Sequence, residues 1–413
     1  MTDGINMSQG MRINKYLPIV TLYFFLNSIL LPLGLLYTSI LTPFFLFWLY
    51  RQNQLKNLWN FFLFSVPFAC IHYFLGVNTS YYLKSYLLLF STFVFLLSTV
   101  EFLRIAYSLR TIFRKILIFN FLLVIIACIS LFIPRTRDVF WYVSNVSEGI
   151  LKFPRLRMFT YEPSYYSTLL VPLAFYYYLK ILLFKFPNAI LVFIMVSLPL
   201  FLSFSLGVIL GILISFFILF FSNIRSFLLK KNIAPYFFLA LLFLVALLFI
   251  QYYFFPDNPF LLRIKNIYEG RDTSFKGRTF DSFYLAFKVA EMKSLLFGVG
   301  LGQVKVLGVE LWNTFYQYTF SINDVSIPNA VAETLAIYGI LGLVFRFGLE
   351  IYFFFRTSVY NNYYRLGLFI YMFVYQFTGS YLFNIAEYVI WALAFSNVFE
   401  EFNKTNSLKK NLP

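Results

Sequence analysis

Lys152, Arg155, Arg157, Tyr161, Glu162, Ser164, Tyr165 and Tyr166 fall within fifteen consecutive residues, between hydrophobic segments that carry almost no charge. Three cations, one carboxylate and clustered tyrosines at this density suit the binding of an anion. An arginine fork matches phosphate oxygens in geometry, which a merely solvated face does not need. Pro163 marks where the next helix begins, because proline is tolerated at the first helical position. Glu162 and Ser164 then stand beside the unpaired N–H groups at that helix's positive end. At the outer face of a membrane, such a junction would suit a phosphorylated, lipid-linked substrate.

Residues 135–162 also hold Arg135 and Arg137, and residues 256–327 hold Arg271 and Arg278 among eight Lys/Arg. Two readings are open: ordinary solvated loops, or a clamp for an anionic group. Within the longer stretch, Gly277–Lys293 reads as an amphipathic helix. Phe280, Phe283, Tyr284, Phe287 and Met292 form its apolar stripe, and Asp281, Lys288 and Glu291 its polar side. Such a helix lies on the membrane surface or caps the spans. Gly298-Val-Gly300-Leu-Gly302 follows it. Without a preceding strand or a βαβ unit this is no nucleotide fingerprint, and it reads as a flexible or close-packed turn. The carboxylates placed to deprotonate a hydroxyl are Glu162, Glu333 and Asp324. His72 is the single histidine, and Cys70 and Cys128 are the only cysteines. All three lie in apolar segments without metal-ligand spacing, so neither a metal nor another cofactor is expected.

The elements that must position these residues are membrane spans. The chain is 61% hydrophobic and 12% charged, whereas soluble domains are about a quarter charged. Apolar runs of about twenty residues recur along its length. About twelve spans result, near 17–31, 35–50, 58–77, 81–103, 116–134, 163–183, a pair across 187–222 folded at Ser203-Phe-Ser205, 233–255, 328–349, 366–383 and 384–400. Short loops on the face holding both termini contain eighteen Lys/Arg, and those on the other face almost none beyond Lys84. The positive face is cytoplasmic. The expectation is one all-α integral membrane domain over 1–413, both termini cytoplasmic, with 135–162 and 256–327 as its two outer loops. The net charge of +16 sits beside the spans and forms no RNA-binding motif, so membrane lipids rather than nucleic acid are the implied partner. Arg346 and Glu350, at i and i+4, read as a simple helix pair near the inner end of their span. Charge at mid-depth is otherwise scarce and no broken helix is expected, which argues against a transporter.

Four motifs stand in order around the two outer loops: Arg157-x-x-x-x-Glu162-Pro163-Ser164; Ser205-Leu-Gly207 opening a span; Gly277-Arg278 leading to Gly298-Val-Gly300-Leu-Gly302; and Asn329-Ala-Val-Ala-Glu333-Thr-Leu-Ala-Ile-Tyr-Gly339-Ile-Leu-Gly342-Leu. In order and placement, over residues 120–350 or so, they resemble the O-antigen polymerase and ligase superfamily of bacterial envelope proteins, in particular the polymerase (Wzy) type. The resemblance implies a GT-C-like multi-helix fold. It also implies glycan transfer from undecaprenyl pyrophosphate at the periplasmic face of the inner membrane. Related ligases carry a histidine just before the asparagine that opens the span after the long loop; here Pro328 precedes Asn329, which favours a polymerase. A chain-length regulator (Wzz type) and a flippase (Wzx type) are the implied protein partners.

A pyrophosphate leaving group is stabilised by preorganised cations or helix N-termini. Arg157 and Arg278 match the family pattern and lead the clamp candidates, followed by Arg135, Arg137, Arg155 and Arg271. Tyr161 and Tyr165 either belong to the interfacial aromatic belt or stack on sugar rings. The expected function is polymerisation of undecaprenyl-pyrophosphate-linked oligosaccharide repeat units for O-antigen or a related surface polysaccharide. The alternatives are a ligase or other lipid-linked-glycan transferase, and a flippase of lipid-linked oligosaccharides.

Overall fold

The structure is a computed structural model that describes residues 17–25, 28, 31, 35–105, 108–184, 186–223 and 258–404; the expected span 233–255 lies outside them. In chain order the α-helices are α1 (Leu17–Phe24), α2 (Tyr37–Ile40), α3 (Thr42–Arg51), α4 (Trp59–Phe74), α5 (Thr79–Ile105), α6 (Leu109–Ser130), α7 (Pro134–Phe140), α8 (Pro163–Leu183), α9 (Ala189–Leu202), α10 (Leu206–Ser222), α11 (Pro259–Tyr268), α12 (Thr273–Arg278), α13 (Phe280–Glu291), α14 (Gln303–Tyr316), α15 (Ala330–Arg356), α16 (Tyr363–Tyr375) and α17 (Ile385–Phe395). Among the described residues the single sheet is the antiparallel hairpin of β1 (Trp141–Ser144) and β2 (Phe153–Leu156). The chain is an all-α protein of membrane character.

Among the described residues four helices, α5, α6, α8 and α15, are long and apolar enough to cross a bilayer. The twelve expected spans are therefore not all of spanning length. The 14-residue α9 rises only about 21 Å, against a hydrocarbon core of about 30 Å. The fold of 187–222 at Ser203–Ser205 is present, with Phe204 at φ +52°. Helix α6 begins at Leu109 rather than near 116, because the Ser108 hydroxyl caps it by accepting the Thr111 N–H. Arg110, Arg114 and Lys115 accordingly ride on a helix instead of a loop.

Helix α8 is the pillar of the bundle, buried over nearly its whole length. Glu162 is extended at its N-cap and Pro163 occupies its first turn, as the sequence requires. Small side chains let neighbouring helices approach it closely, the mode by which helices associate in an apolar solvent. Ser167 is fully buried and its Oγ donates to Ser203 Oγ, 2.5 Å. Tyr166 Oη reaches Asn120 Oδ1 on α6, 2.9 Å. The hairpin closes over this end of α8. Its register pairs Trp141 with Leu156 and Tyr142 with Arg155. Strand alternation turns Trp141 and Leu156 into the core and leaves Arg155 on the opposite face.

Helix α15 is broken. Gly339 lies at φ 67°, ψ −163°, outside helical geometry. The carbonyls and N–H groups this frees are taken by the segment that carries the glycine-rich motif. Val299 and Gly300 N–H donate to the Ala336 and Ile337 carbonyls (2.9 and 3.0 Å), and Ile340 and Leu341 N–H donate to the Leu295 and Leu296 carbonyls (3.1 and 3.2 Å). Exposed backbone groups are costly in an apolar medium, so a break of this kind needs such a splice. The bend is sharp. Arg346 Nη1 lies 3.4 Å from Thr334 Oγ1, twelve residues earlier. In a straight helix twelve residues span about 18 Å, far beyond an arginine's reach.

The amphipathic helix exists as α13, but its expected inner face is turned outward. Leu285, Ala286, Val289 and Ala290 are buried against α15, whereas Phe280, Tyr284, Phe287 and Met292 are exposed. Asp281, expected on the polar side, is buried and accepts from Tyr316 Oη, 3.2 Å. Close approach to the broken α15 requires small side chains, which the aromatic stripe does not supply. Helix α13 thus caps α15 with its aliphatic side and presents aromatics outward.

Candidate active site

The N-terminal end of α8, the end of α12, the segment leading into α15 and the turn joining α16 to α17 meet around one pocket. It is lined by Glu162, Ser164, Tyr165, Thr168, Arg278, Pro328, Tyr375, Ser380, Tyr381 and Asn384. Two of the four sequence motifs line it and a third, at Asn329, begins right beside it, although they are far apart in the chain. Asn329 explains why. Fully buried, it caps α15 by accepting the Ala332 N–H at 2.9 Å, and its Nδ2 donates to the carbonyls of Arg278 (2.9 Å) and Phe377 (2.5 Å). One side chain therefore ties the start of α15 to α12 and to the end of α16. A roomier cavity lined by α1, α5 and α6 is almost wholly apolar and carries no group suited to acid–base or phosphate chemistry.

Arg278 is half-buried, and its guanidinium makes no hydrogen bond or ion pair among the described residues. Burial opposes its charge, but the Glu162 carboxylate, with Tyr375, Tyr381 and Tyr161, outweighs burial and holds its pKa above the ordinary value. Arg155 is anchored on the turn between α9 and α10, donating from Nε to the Ser203 carbonyl at 3.1 Å and from Nη2 to Ser205 Oγ at 3.4 Å. Arg263 is 8% exposed and donates to the Phe204 carbonyl (3.2 Å) while pairing with Asp272 Oδ2 (3.1 Å). Asp272 is itself fully buried and caps α12 through the Phe275 N–H, 2.8 Å.

These three guanidiniums feel one another. Burial, then the charges of Arg263 and Arg278, push Arg155 down to about 10. Burial also lowers Arg263, with Asp272 offsetting part of the effect. Three guanidiniums against the carboxylates of Glu162 and Asp272 leave a net positive charge at the end of α8, whose own N–H groups add to it. A bound anion would relieve the repulsion recorded at Arg155. Tyr161 packs against Tyr165 at a tilt of 36°, ring centroids 4.9 Å apart. Burial and the neighbouring Glu162 keep its phenol protonated.

The structure thus brings together Glu162, Arg155, Arg278, Tyr161 and Tyr165. It does not bring in the rest. Arg157 donates from Nη2 to the Asp138 carbonyl, 2.7 Å, and does not line the pocket. Arg135 is exposed on α7, and Arg137 reaches Asp138 at 3.4 Å on the surface. Arg271 is paired with Glu269 and, at 3.8 Å, with Glu148, all partly exposed. Asp324 is exposed and closes a local turn by accepting from Ser321 N and Oγ (3.1 and 2.7 Å), bonds that pull its carboxyl below the usual range. Glu333 accepts the Leu382 N–H at 2.6 Å, so it braces the α16–α17 turn from outside the pocket lining. Sequence reasoning passed over Arg263, Tyr375, Ser380, Tyr381 and Asn384. The signal for the last four was the polar cluster Gln376-Phe-Thr-Gly-Ser380 interrupting an apolar run; for Arg263 it was an acid nine residues on.

Beneath the pocket lies a buried polar network. Arg346 pairs with Glu387 and, at 3.3 Å, with Glu350, and its Nε donates to Gln376 Oε1 at 2.7 Å. Gln376 Nε2 donates to Glu350 Oε2, 2.9 Å. The Arg346–Glu350 helix pair is present, but the bend at Gly339 brings it beside the pocket-lining turn instead of leaving it at the inner end of a straight span. The sparse internal charge and unbroken helices expected from the sequence are not what the structure contains.

Compared with known proteins, the chain matches no family model and no curated sequence.

Proposed function

We infer that the chain is a membrane glycosyltransferase that polymerises undecaprenyl-pyrophosphate-linked oligosaccharide repeat units for O-antigen or a related surface polysaccharide. One observation carries the reading. Glu162 and Arg278, from two motifs that resemble the O-antigen polymerase superfamily, line a single pocket at a helix N-terminus, with Arg155 and Arg263 beside them. Arg278 takes the pyrophosphate of the donor, and Arg155, Arg263 and the N-terminal N–H groups of α8 share the charge that develops as it leaves. Glu162 holds Arg278 charged and aimed at the pocket. Tyr165 and Tyr381 supply faces for sugar rings. Pro328 in place of a histidine favours a polymerase over a ligase.

The pocket opens to the periplasm in this reading, in the inner membrane and with both termini cytoplasmic; chain-length regulator and flippase act beside it. A cysteine placed within 256–327 would then react with an impermeant reagent from outside. The functional test is deletion. Cells lacking the chain should carry surface glycan as single repeat units on lipid A-core. A bare core with lipid-linked polymer accumulating would make this a ligase.

A transporter of lipid-linked oligosaccharides is the second reading. The broken helix at Gly339 and the internal Arg346–Glu387 pair favour it, since discontinuous helices and internal ion pairs serve transport. Proteoliposomes loaded with lipid-linked repeat units separate the two: a transporter moves them across without lengthening them.

A further inference from the structure

Ser380 stands in the αL region at φ +69°, an uncommon conformation for a non-glycine residue that calls for a reason. The residue lines the pocket yet is 5% exposed, and its Oγ donates to Glu387 Oε2 at 2.5 Å while accepting from Asn384 Nδ2 at 3.0 Å. Glu387, 2% exposed, takes Arg346 and, at 3.4 Å, Trp391 Nε1 on its other oxygen. Arg346 is shared with Glu350, so two carboxylates divide one guanidinium. Glu333 and the phenols of Tyr371, Tyr375 and Tyr388 also face this group, and Lys305 acts on Glu333. Both carboxylates lie away from water and share that single guanidinium. Glu162, by contrast, is engaged with Ser164 Oγ and with the charge of Arg278, which leaves the acceptor's proton without a destination.

We propose that Ser380 and Glu387 form the proton relay that activates the acceptor sugar, with Arg346 and Asn384 holding it in register. The proposal rests on the glycosyltransferase reading. The acceptor hydroxyl gives its proton to Ser380 Oγ as the Ser380 proton passes to Glu387 Oε2. The freed oxygen forms the new bond to the donor's anomeric carbon. The bond from that carbon to the phosphate oxygen breaks, and undecaprenyl pyrophosphate leaves with the electron pair onto Arg278. Ser380 ends as it began, and the proton ends on Glu387. The αL turn accompanies the bond from the Ser380 hydroxyl to the Glu387 carboxylate.

The test uses the full chain in proteoliposomes, with lipid-linked repeat units extracted from cells deleted for it as both donor and acceptor. Ser380→Gly removes the hydroxyl while suiting the positive φ, and a melting curve in detergent checks that the variant is folded. Glu387→Gln keeps hydrogen-bonding capacity toward Arg346 but takes no proton. Both should lower kcat about a hundredfold or more, the usual worth of a general base, with KM for the lipid-linked substrate unchanged. Near wild-type kcat in Ser380→Gly would overturn the relay. So would a defect in either variant that appears only in KM, which would make these residues binding elements. Failure of the wild-type chain to lengthen the glycan would instead sink the glycosyltransferase reading, and the relay with it.

Discussion

A Cβ placed on Gly339 would stand 2.6 Å from the backbone nitrogen of Gly298, and both residues hold positive φ, 67° and 74°. The splice of the glycine-rich segment into the broken α15 is a backbone-to-backbone contact with no room for a side chain. Gly339→Ala or Gly298→Ala should therefore destabilise the protein by at least ~3 kcal/mol, combining strain and overlap with backbone atoms. Gly348 lies on the same helix with nothing within 4 Å of an added Cβ, so Gly348→Ala should be neutral or slightly stabilising. Thermal unfolding in detergent measures the contrast, and equal melting temperatures for the three variants would contradict the splice.

Arg278 and Arg157 should respond differently to lysine. Arg278 lines the pocket with a guanidinium that makes no hydrogen bond or ion pair among the described residues, whereas Arg157 donates to the Asp138 carbonyl. Losing one fork contact to a pyrophosphate costs about 1.5–3 kcal/mol, or roughly ten- to a hundredfold in rate. Arg278→Lys should impair polymerisation to that extent at unchanged protein level, and Arg157→Lys by much less. Glycan ladders from complemented cells provide the readout.

Pyrophosphate itself should compete with the lipid-linked donor, and its affinity should depend on alkaline pH. Arg155 titrates at about 10 because burial and the charges of Arg263 and Arg278 disfavour its proton. Below that pH all three guanidiniums are charged and the anion binds without proton uptake. Above it, binding must return a proton to Arg155, so the affinity falls as pH rises through about 10. Arg155→Gln should bind more weakly at neutral pH and lose that step. Titration calorimetry across pH 8–11 would detect it, and a flat profile in the wild type would remove Arg155 from the anion site.

The two lysines around α13 separate a surface pair from a cap. Lys288 pairs with Glu291 in solvent at 2.9 Å, and such exposed pairs contribute little. Lys293 Nζ donates to the carbonyls of Leu75 and Gly76 (2.9 and 3.4 Å) just past the end of α4. Cations at a helix C-terminus contribute about 0.3–1 kcal/mol. Lys288→Gln should leave the melting temperature unchanged and Lys293→Gln should lower it by up to about a degree.

Composition and periodicity by themselves determined that the chain is helical and of membrane character, since bilayer-length apolar runs leave no other solution. They also located the start of α8, because Pro163 and the flanking Glu162 and Ser164 encode a helix N-terminus locally. Grouping Glu162 with Arg278 was legible only as motif order. Their meeting is a tertiary event, made by Asn329 bridging α12, α15 and the end of α16. The two faces of α13 have comparable apolarity in sequence, so only the closeness of the broken α15 decides that Leu285 and Val289 go inward and Phe280 and Tyr284 outward. Arg346, Glu387 and Ser380 lie on three different elements whose patterns carry no mark of one another. Their convergence depends on a single residue, Gly339, whose positive φ bends α15 and swings Arg346 beneath the pocket. Local propensity cannot encode that bend, because the backbone groups it frees are satisfied by a segment some forty residues earlier.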